Sequence, residues 1–402
     1  MDELDGARRG TPLTRSFWLL VAVRAGFWIA TLMALLWSPL RSGFPRFHAY
    51  GRRSDFVFNA FARWDSGWFL RIAQRGYDLK QSASFFPLYP LLTHGIGFVF
   101  RSDLVAAVAI SLASAGLGAV AVTRVARHYA TDDVAANALL FLALYPIAFV
   151  FTAAYSDALF LALAAWAYLF GVRGRPVVAG VLGAAAVLTR PTGIALFPAL
   201  ALLLWPKRRA PHDAIRLAPL LLLPAALGGY CLYLQSHFGD AGAFVHSEGS
   251  FWLRHVPATG PLGGIWDALR SGEQGLAQLV LHLPPASGAP HGFGKPEQFA
   301  IWNVGQAVLL VAACALTWVC WRRLDRAAAL YSAGTILLFL SAPAAVVPLV
   351  SEPRFLLGDF PLFIALAVLA APRPRLRTAI VASFAGLGLL AAVGFAHGVW
   401  VS

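Results

Sequence analysis

The chain has 402 residues, of which 59% are hydrophobic and 13% charged, with a formal net charge of +13 and a mean hydropathy of +0.67. A soluble protein of this length carries about a quarter charged residues, so these values exclude a soluble domain and define a polytopic membrane protein. The basic excess lies in short clusters between apolar runs (Arg8/Arg9/Arg15, Arg124/Arg127, Arg173/Arg175, Lys207/Arg208/Arg209, Arg322/Arg323/Arg326, Arg373/Arg375/Arg377), which marks a cytoplasmic membrane face and argues against a nucleic-acid partner.

The first apolar run, Phe17 to Trp37, is longer than a signal-peptide core and lacks a small-residue cleavage site, so it is expected to be a retained first span. About eleven candidate spans begin near residues 16, 104, 134, 157, 176, 192, 214, 300, 328, 355 and 376. Full crossing of the hydrocarbon needs about 20 apolar residues. The run Phe86 to Phe100 falls short of that and carries Pro87 and Pro90. Reading it as a non-spanning hairpin puts all six basic clusters, and the amino terminus, on the cytoplasmic side. Residues 176–205 are read as two short spans broken at Arg190-Pro191, with a single tilted helix as the alternative.

Two connections exceed ordinary loop length. The first, 39–103, is rich in Trp, Phe and Tyr and is expected to form an extracytoplasmic loop with interfacial helices. The second, 236–299, is rich in Gly, Pro and His and is expected to be mobile. The whole of 1–402 is read as one multi-span all-α domain. In this topology Asp65, the Phe85-Phe86-Pro87-Leu88-Tyr89-Pro90 run, Tyr155-Ser156-Asp157, Arg190-Pro191-Thr192 and Glu352-Pro353-Arg354 all reach the outer face.

The segment Arg63 to Leu92, RWDSGWFLRIAQRGYDLKQSASFFPLYPLL, is the richest in chemistry. A carboxylate at a bilayer surface is a functional candidate. If Phe61 to Tyr77 is helical, Phe61, Asp65 and Phe69 share one line, Trp64, Trp68 and Ile72 the next, and Arg63, Arg71 and Gln74 point away. Asp65 then sits on an apolar face, where a proton acceptor is favoured. The alternative is that Asp65 caps a helix beginning at Ser66. Two prolines three apart forbid ordinary helix across the Phe85–Pro90 run, leaving either a rigid wall for a lipid or sugar or a span-entry turn.

Asp157, Arg190, Glu352, Arg354 and Asp359 are the other charges near outer span ends. Their arginines either clamp a phosphate or pair internally, as Asp157 with Arg190 or Arg354 with Asp359. His237, His246, His255, His282 and His291 share the second loop with Glu248 and match no zinc spacing, and read as solvated. Cys231, Cys314 and Cys320 lie in apolar segments without pairing. No glycine-rich nucleotide loop is present in the sequence, so a soluble nucleotide sugar has no evident home.

The string R-W-D-x-x-W-F-L-x-I-A-x-x-G-Y from Arg63 to Tyr77, followed by F-F-P-L-Y-P, resembles the PIG-V type mannosyltransferases, which add the second mannose of glycosylphosphatidylinositol anchors. Tyr155-Ser156-Asp157 and LTRPTG (Leu188 to Gly193) resemble later blocks of the same family. The resemblance implies a GT-C glycosyltransferase, with a catalytic acid on the first extracytoplasmic loop and a polyprenyl-phosphate sugar donor. It assigns Asp65 as that acid. It places Arg63, Trp64, Trp68 and Tyr77 in the first block, and Phe86, Pro87, Tyr89 and Pro90 in the second. Asp157, Arg190 and Arg354 become substrate-binding candidates.

Many GT-C enzymes carry paired acids, whereas here Asp65 stands alone with Asp55 ten positions upstream, which puts a divalent metal in doubt. The alanine- and arginine-rich composition suggests a bacterial plasma-membrane protein, whose acceptor is a lipid or glycan other than that anchor. The expected function is inverting mannosyl transfer at the outer face, with a transporter or flippase of a lipid-linked sugar as the alternative.

Overall fold

The computed structural model describes residues 12–37, 58, 60–205, 211–282 and 296–399. Arg8, Arg9, Lys207, Arg208, Arg209 and His291, and all of 39–57 with Asp55, lie outside them. Sixteen α-helices are found among the described residues: α1 Pro12–Trp37, α2 Asp65–Arg75, α3 Leu88–Phe100, α4 Asp103–Tyr129, α5 Asp132–Leu144, α6 Asp157–Val172, α7 Pro176–Thr189, α8 Leu196–Leu204, α9 Leu222–Phe238, α10 Ala243–Trp252, α11 Pro261–Leu281, α12 Pro296–Arg323, α13 Arg326–Leu340, α14 Glu352–Leu357, α15 Phe360–Ala370 and α16 Pro374–Ala396.

Five stretches are long and apolar enough to cross a membrane: Trp18–Leu36, Asp103–Tyr129, Ile215–Phe238, Glu297–Arg323 and Pro374–Ala396. Others are shorter. The run starting near 134 becomes α5, whose 13 residues span about 20 Å. It stops because Pro146 follows and drives Tyr145 to ψ 136. The stretch 176–205 is broken where the sequence places the break, with a 3-10 turn Pro191–Ala195 between α7 and α8. The stretch 86–100 is a short helix, α3, folded back on α4 through Arg101 in the left-handed region (φ 53).

Local signals explain several boundaries. The Ser102 hydroxyl accepts from the Val105 amide at 3.3 Å and caps α4, whose last turn carries Arg127 and His128 toward its negative end. Asp325 caps α13 through the Ala328 amide at 2.7 Å, and accepts from Tyr129 (2.5 Å) and Tyr168 (3.1 Å). One carboxylate thus ties together the ends of α4, α6 and α13.

The core is alanine-rich, because helices in a membrane gain by close packing rather than by escape from water. Buried Ala106, Ala115, Ala119 and Ala164 line the α4–α6 region. A Cβ on Gly118 would already lie 3.4 Å from Leu161. Arg24 of α1 is buried in this core and donates to the carbonyl of Ala143, in the last turn of α5, and to that of Ala148, in the 3-10 turn that follows.

A second apolar cluster joins Phe69, Leu70 and Ile72 of α2 to Phe85, Phe86 and Tyr89, to Leu104 and Val108 of α4, and to Tyr230 and Leu234 of α9. It fixes the aromatic first-loop segment on the helical body. Over its described part the second loop is largely helical. It forms α10 and α11, and α11 packs on α12 where Gly272 and Gly275 face Ala307 and Ala300.

Candidate active site

The chain does not run helically through Phe61, as the aromatic spacing suggests. Trp64 takes φ 54 and ψ −116, a conformation costly for a side-chain-bearing residue, and α2 starts at Asp65 itself. Asp65 is therefore the first helical residue, not the cap before Ser66. The sharp turn brings its carboxylate inward. Arg63 does not point away either. Its Nε donates to the Ala396 carbonyl at the end of α16 at 3.3 Å, where helix carbonyls lack partners of their own.

Four charged side chains from separate segments meet at this point. Arg354 of α14 donates from Nη1 to Asp65 Oδ2 at 2.5 Å and from Nη2 to Asp157 Oδ2 at 3.1 Å. The other oxygen of Asp157, Oδ1, accepts from Arg190 Nη1. The side chains of Asp157, Arg190 and Arg354 are nine-tenths or more out of solvent, and Asp65 nearly so. The predicted pair Asp157–Arg190 is present, but Arg354 does not pair with Asp359. Asp359 is buried and accepts from the Ser332 hydroxyl at 2.6 Å.

Tyr155 braces the cluster. Its hydroxyl accepts from the Asp65 amide at 3.3 Å and donates to the Arg63 carbonyl at 3.1 Å, holding both sides of the Trp64 turn. The Arg354 guanidinium lies over its ring, 4.6 Å from the centroid. Burial pushes the Tyr155 hydroxyl well above the ordinary phenol range, so it acts as a neutral donor. Arg190 lies over Phe355 at 5.0 Å.

The other sequence candidates surround the cluster at varying depth. Trp68 stacks on Phe85 at 5.7 Å, and Phe69 meets Tyr155 at 6.5 Å. Phe86 is buried against Tyr230, with ring centroids 4.6 Å apart. Tyr89 is buried and donates to the Ala107 carbonyl at 2.9 Å, and Tyr77 donates to the Phe85 carbonyl at 2.6 Å. Phe86, Tyr89 and Tyr77 thus pack beneath the site and present no open wall. Pro87 precedes the first turn of α3, partly exposed.

Spacing along the sequence does not single out Glu248 and Arg254, yet they belong to this region. Arg254 Nε lies 3.0 Å from Glu248 Oε2, and its guanidinium also lies over Phe355, 5.8 Å from the ring centroid. Of the loop histidines, His237 meets the Tyr77 carbonyl (2.7 Å), His246 meets Asp240 (2.8 Å) and His255 meets Asp267 (3.3 Å).

A divalent metal does not fit these residues. Among the described residues no group of three His, Cys, Asp or Glu side chains could hold one. The two carboxylates that a cation would bridge are already bridged by the Arg354 guanidinium.

Fold and site together define a multi-pass, all-helical membrane protein with a carboxylate–arginine centre built from its first long loop and from helix ends. The family model for mannosyltransferase (PIG-V) matches residues 13–201. Over that stretch, somewhat less than half of the chain, the sequence is similar to the PIG-V mannosyltransferases, and this similarity supports a glycosyltransferase over the transporter alternative. The family match covers Asp65, Asp157 and Arg190, and Arg354 lies beyond it.

Comparison with curated protein sequences finds no match. Among solved structures, ArnT from Cupriavidus metallidurans in the apo state is 15% identical with a TM-score of 0.44, over 96% of this chain and 76% of that one. The archaeal oligosaccharyltransferase AglB from Archaeoglobus fulgidus, in complex with an inhibitory peptide and a dolichol-phosphate, is 12% identical with a TM-score of 0.37. That match covers 94% of this chain and 55% of AglB. An oligosaccharyltransferase of Archaeoglobus fulgidus with zinc and sulfate gives 12% and 0.34, over 94% and 52%. The chain thus spans about half the length of these archaeal structures.

Proposed function

We propose that the chain transfers a mannosyl group from a polyprenyl-phosphate donor to a lipid or glycan acceptor at the outer face of a bacterial plasma membrane, with inversion at the anomeric carbon. The observation that carries this reading is the meeting of Asp65, Asp157, Arg190 and Arg354 from four segments into one buried centre. Asp65 is the general base and the two arginines receive the phosphate.

The acceptor hydroxyl attacks the anomeric carbon while its proton passes to the Asp65 carboxylate. The carbon–oxygen bond to the phosphate breaks, and the electron pair leaves on the phosphate oxygen. General-base help of this kind is worth about 10²–10⁴ in rate. The Arg354 fork suits a phosphate as well as it suits two carboxylates. A donor phosphate that draws Arg354 N–H groups toward itself releases Asp65 to accept the proton. The developing negative charge is then met by guanidinium groups already fixed in place. Tyr155 and the Trp64 turn hold Asp65 in position. Trp64, Trp68 and Phe85 shape the sugar pocket, and the prenyl tail lies between spans.

The test supplies purified protein in lipid vesicles with mannose-labelled polyprenyl phosphate or with nucleotide-activated mannose, and a membrane-lipid extract as acceptor. Label transfer from the lipid donor alone is the expected result. Transfer from the nucleotide alone, or movement of the intact lipid donor across the bilayer without transfer, overturns the reading.

A further inference from the structure

Arg254 engages the protein through all three of its guanidinium nitrogens. It follows α10, where Leu253 turns the chain with φ 55. Its Nε faces Glu248 at 3.0 Å, while Nη1 donates to the Ala342 carbonyl and Nη2 to the Val350 carbonyl, each at 2.7 Å. A single planar fork therefore grips both ends of the loop that leads from α13 into α14. Lysine cannot reproduce this, since only arginine offers several donors in a fixed plane.

Backbone pairing adds to the grip. Arg254 bridges Ala344 in antiparallel fashion, Ala345 donates to the Leu253 carbonyl at 3.0 Å, and His255 donates to the Pro343 carbonyl at 2.9 Å. The loop so held ends in Ser351, in the left-handed region at φ 67, and in α14, which carries Arg354. The guanidinium groups of Arg254 and Arg190 both lie over the ring of Phe355, next to Arg354.

The other end of this brace rests on the first loop. In α10 Ser247 donates to the Lys80 carbonyl at 2.7 Å, and Ser84 donates to the Phe244 carbonyl at 3.3 Å. Lys80 pairs with Asp240, just before α10, at 2.8 Å. A closed path thus runs from the first loop through α10 and Arg254 to α14, and from Arg354 back to Asp65.

We infer that Arg254, held by Glu248, is a positioning residue that sets the Arg354 fork for the donor phosphate, making the second extracytoplasmic loop part of the donor site. The inference rests on the donor reading given above. Because each nitrogen of Arg254 is already engaged by Glu248, Ala342 or Val350, its effect on the donor passes through Arg354.

The test measures binding of sugar-free polyprenyl phosphate to the full chain in lipid nanodiscs, for wild type, Arg254→Lys, Arg354→Lys and the double variant. Thermal unfolding is followed in parallel. Arg254→Lys is expected to weaken binding about tenfold in the wild-type background and less than twofold in the Arg354→Lys background. Glu248→Ala, which removes one bond of the brace, is expected to weaken binding about threefold, and Glu248→Gln, which keeps an acceptor, to restore it.

Wild-type affinity in Arg254→Lys overturns the inference. So do additive losses in the double variant, which make Arg254 act independently of Arg354. Should wild type itself fail to bind polyprenyl phosphate, the donor reading falls and this inference with it. That outcome is distinct from loss in the Arg254 variants alone.

Discussion

Glu352 is buried, and among the described residues neither of its carboxylate oxygens has a hydrogen-bond partner. Burial raises its pKa from 4.5 to about 9, because no neighbour offsets the cost of desolvating the charge. Below pH 4.5 both the folded and the unfolded chain hold the proton, and the group has no effect on their balance. Between 4.5 and 9 the unfolded chain releases a proton that the folded chain keeps. Stability is therefore lost as pH rises through this window, by about 1.4 kcal/mol per pH unit.

At pH 7, two and a half units above 4.5, the loss is about 3 kcal/mol. Glu352→Gln keeps the size and neutrality of the protonated acid but has no proton to lose. The variant should match wild type near pH 4.5 and be more stable by about 3 kcal/mol at pH 7, which means several degrees in Tm. Tryptophan fluorescence during thermal unfolding in detergent, from pH 5 to 8.5, follows the difference directly. Parallel Tm curves for the two proteins would refute the reasoning, since they would mean that Glu352 is ionised in the fold.

Arg354→Ala leaves Asp65 without its 2.5 Å partner and Asp157 with Arg190 alone. It should lower stability by about 3–5 kcal/mol and abolish transfer, read by thermal unfolding and by label transfer from the lipid donor. Gly193→Ala places a Cβ 2.6 Å from the Val187 amide nitrogen and 2.7 Å from the Ala186 carbonyl carbon, backbone atoms that cannot swing aside. It should cost about 1–3 kcal/mol and reduce transfer by displacing Arg190, whose carbonyl receives the Gly193 amide at 3.0 Å. A variant with wild-type Tm and rate would contradict that account.

Much of the architecture is legible in the residues themselves. Apolar length and basic clusters mark a multi-pass chain, and Pro191 beside Arg190 ends α7 because proline cannot continue the hydrogen-bond ladder. Asp65, Asp157, Arg190 and Arg354 stand out because charges are rare in such a chain. Their partners are less legible. Arg354 reaches a carboxylate 289 positions away, and the near-helical spacing to Asp359 points to the wrong acid, since the intervening Gly358 turn carries Asp359 toward Ser332 of α13. The line Phe61, Asp65, Phe69 suggests a helix, yet the Trp64 turn interrupts it, and nothing local announces a tryptophan at positive φ. Arg254 and Glu248 are hidden because a brace to backbone carbonyls leaves no side-chain pattern. The aromatic Phe85–Pro90 run reads equally as a wall or as a span-entry turn. Its burial comes from α4 and α9, which spacing within the run cannot foretell.

Asp65→Asn gives the most direct test of the central claim, with label transfer and donor binding measured side by side on reconstituted protein. Asparagine keeps the shape and one acceptor oxygen for Arg354 but cannot take a proton. The account predicts that the variant binds the polyprenyl-phosphate donor within a few-fold of wild type while transfer falls by about 10² or more. Transfer at the wild-type rate would contradict it, because the proton would then leave by another group.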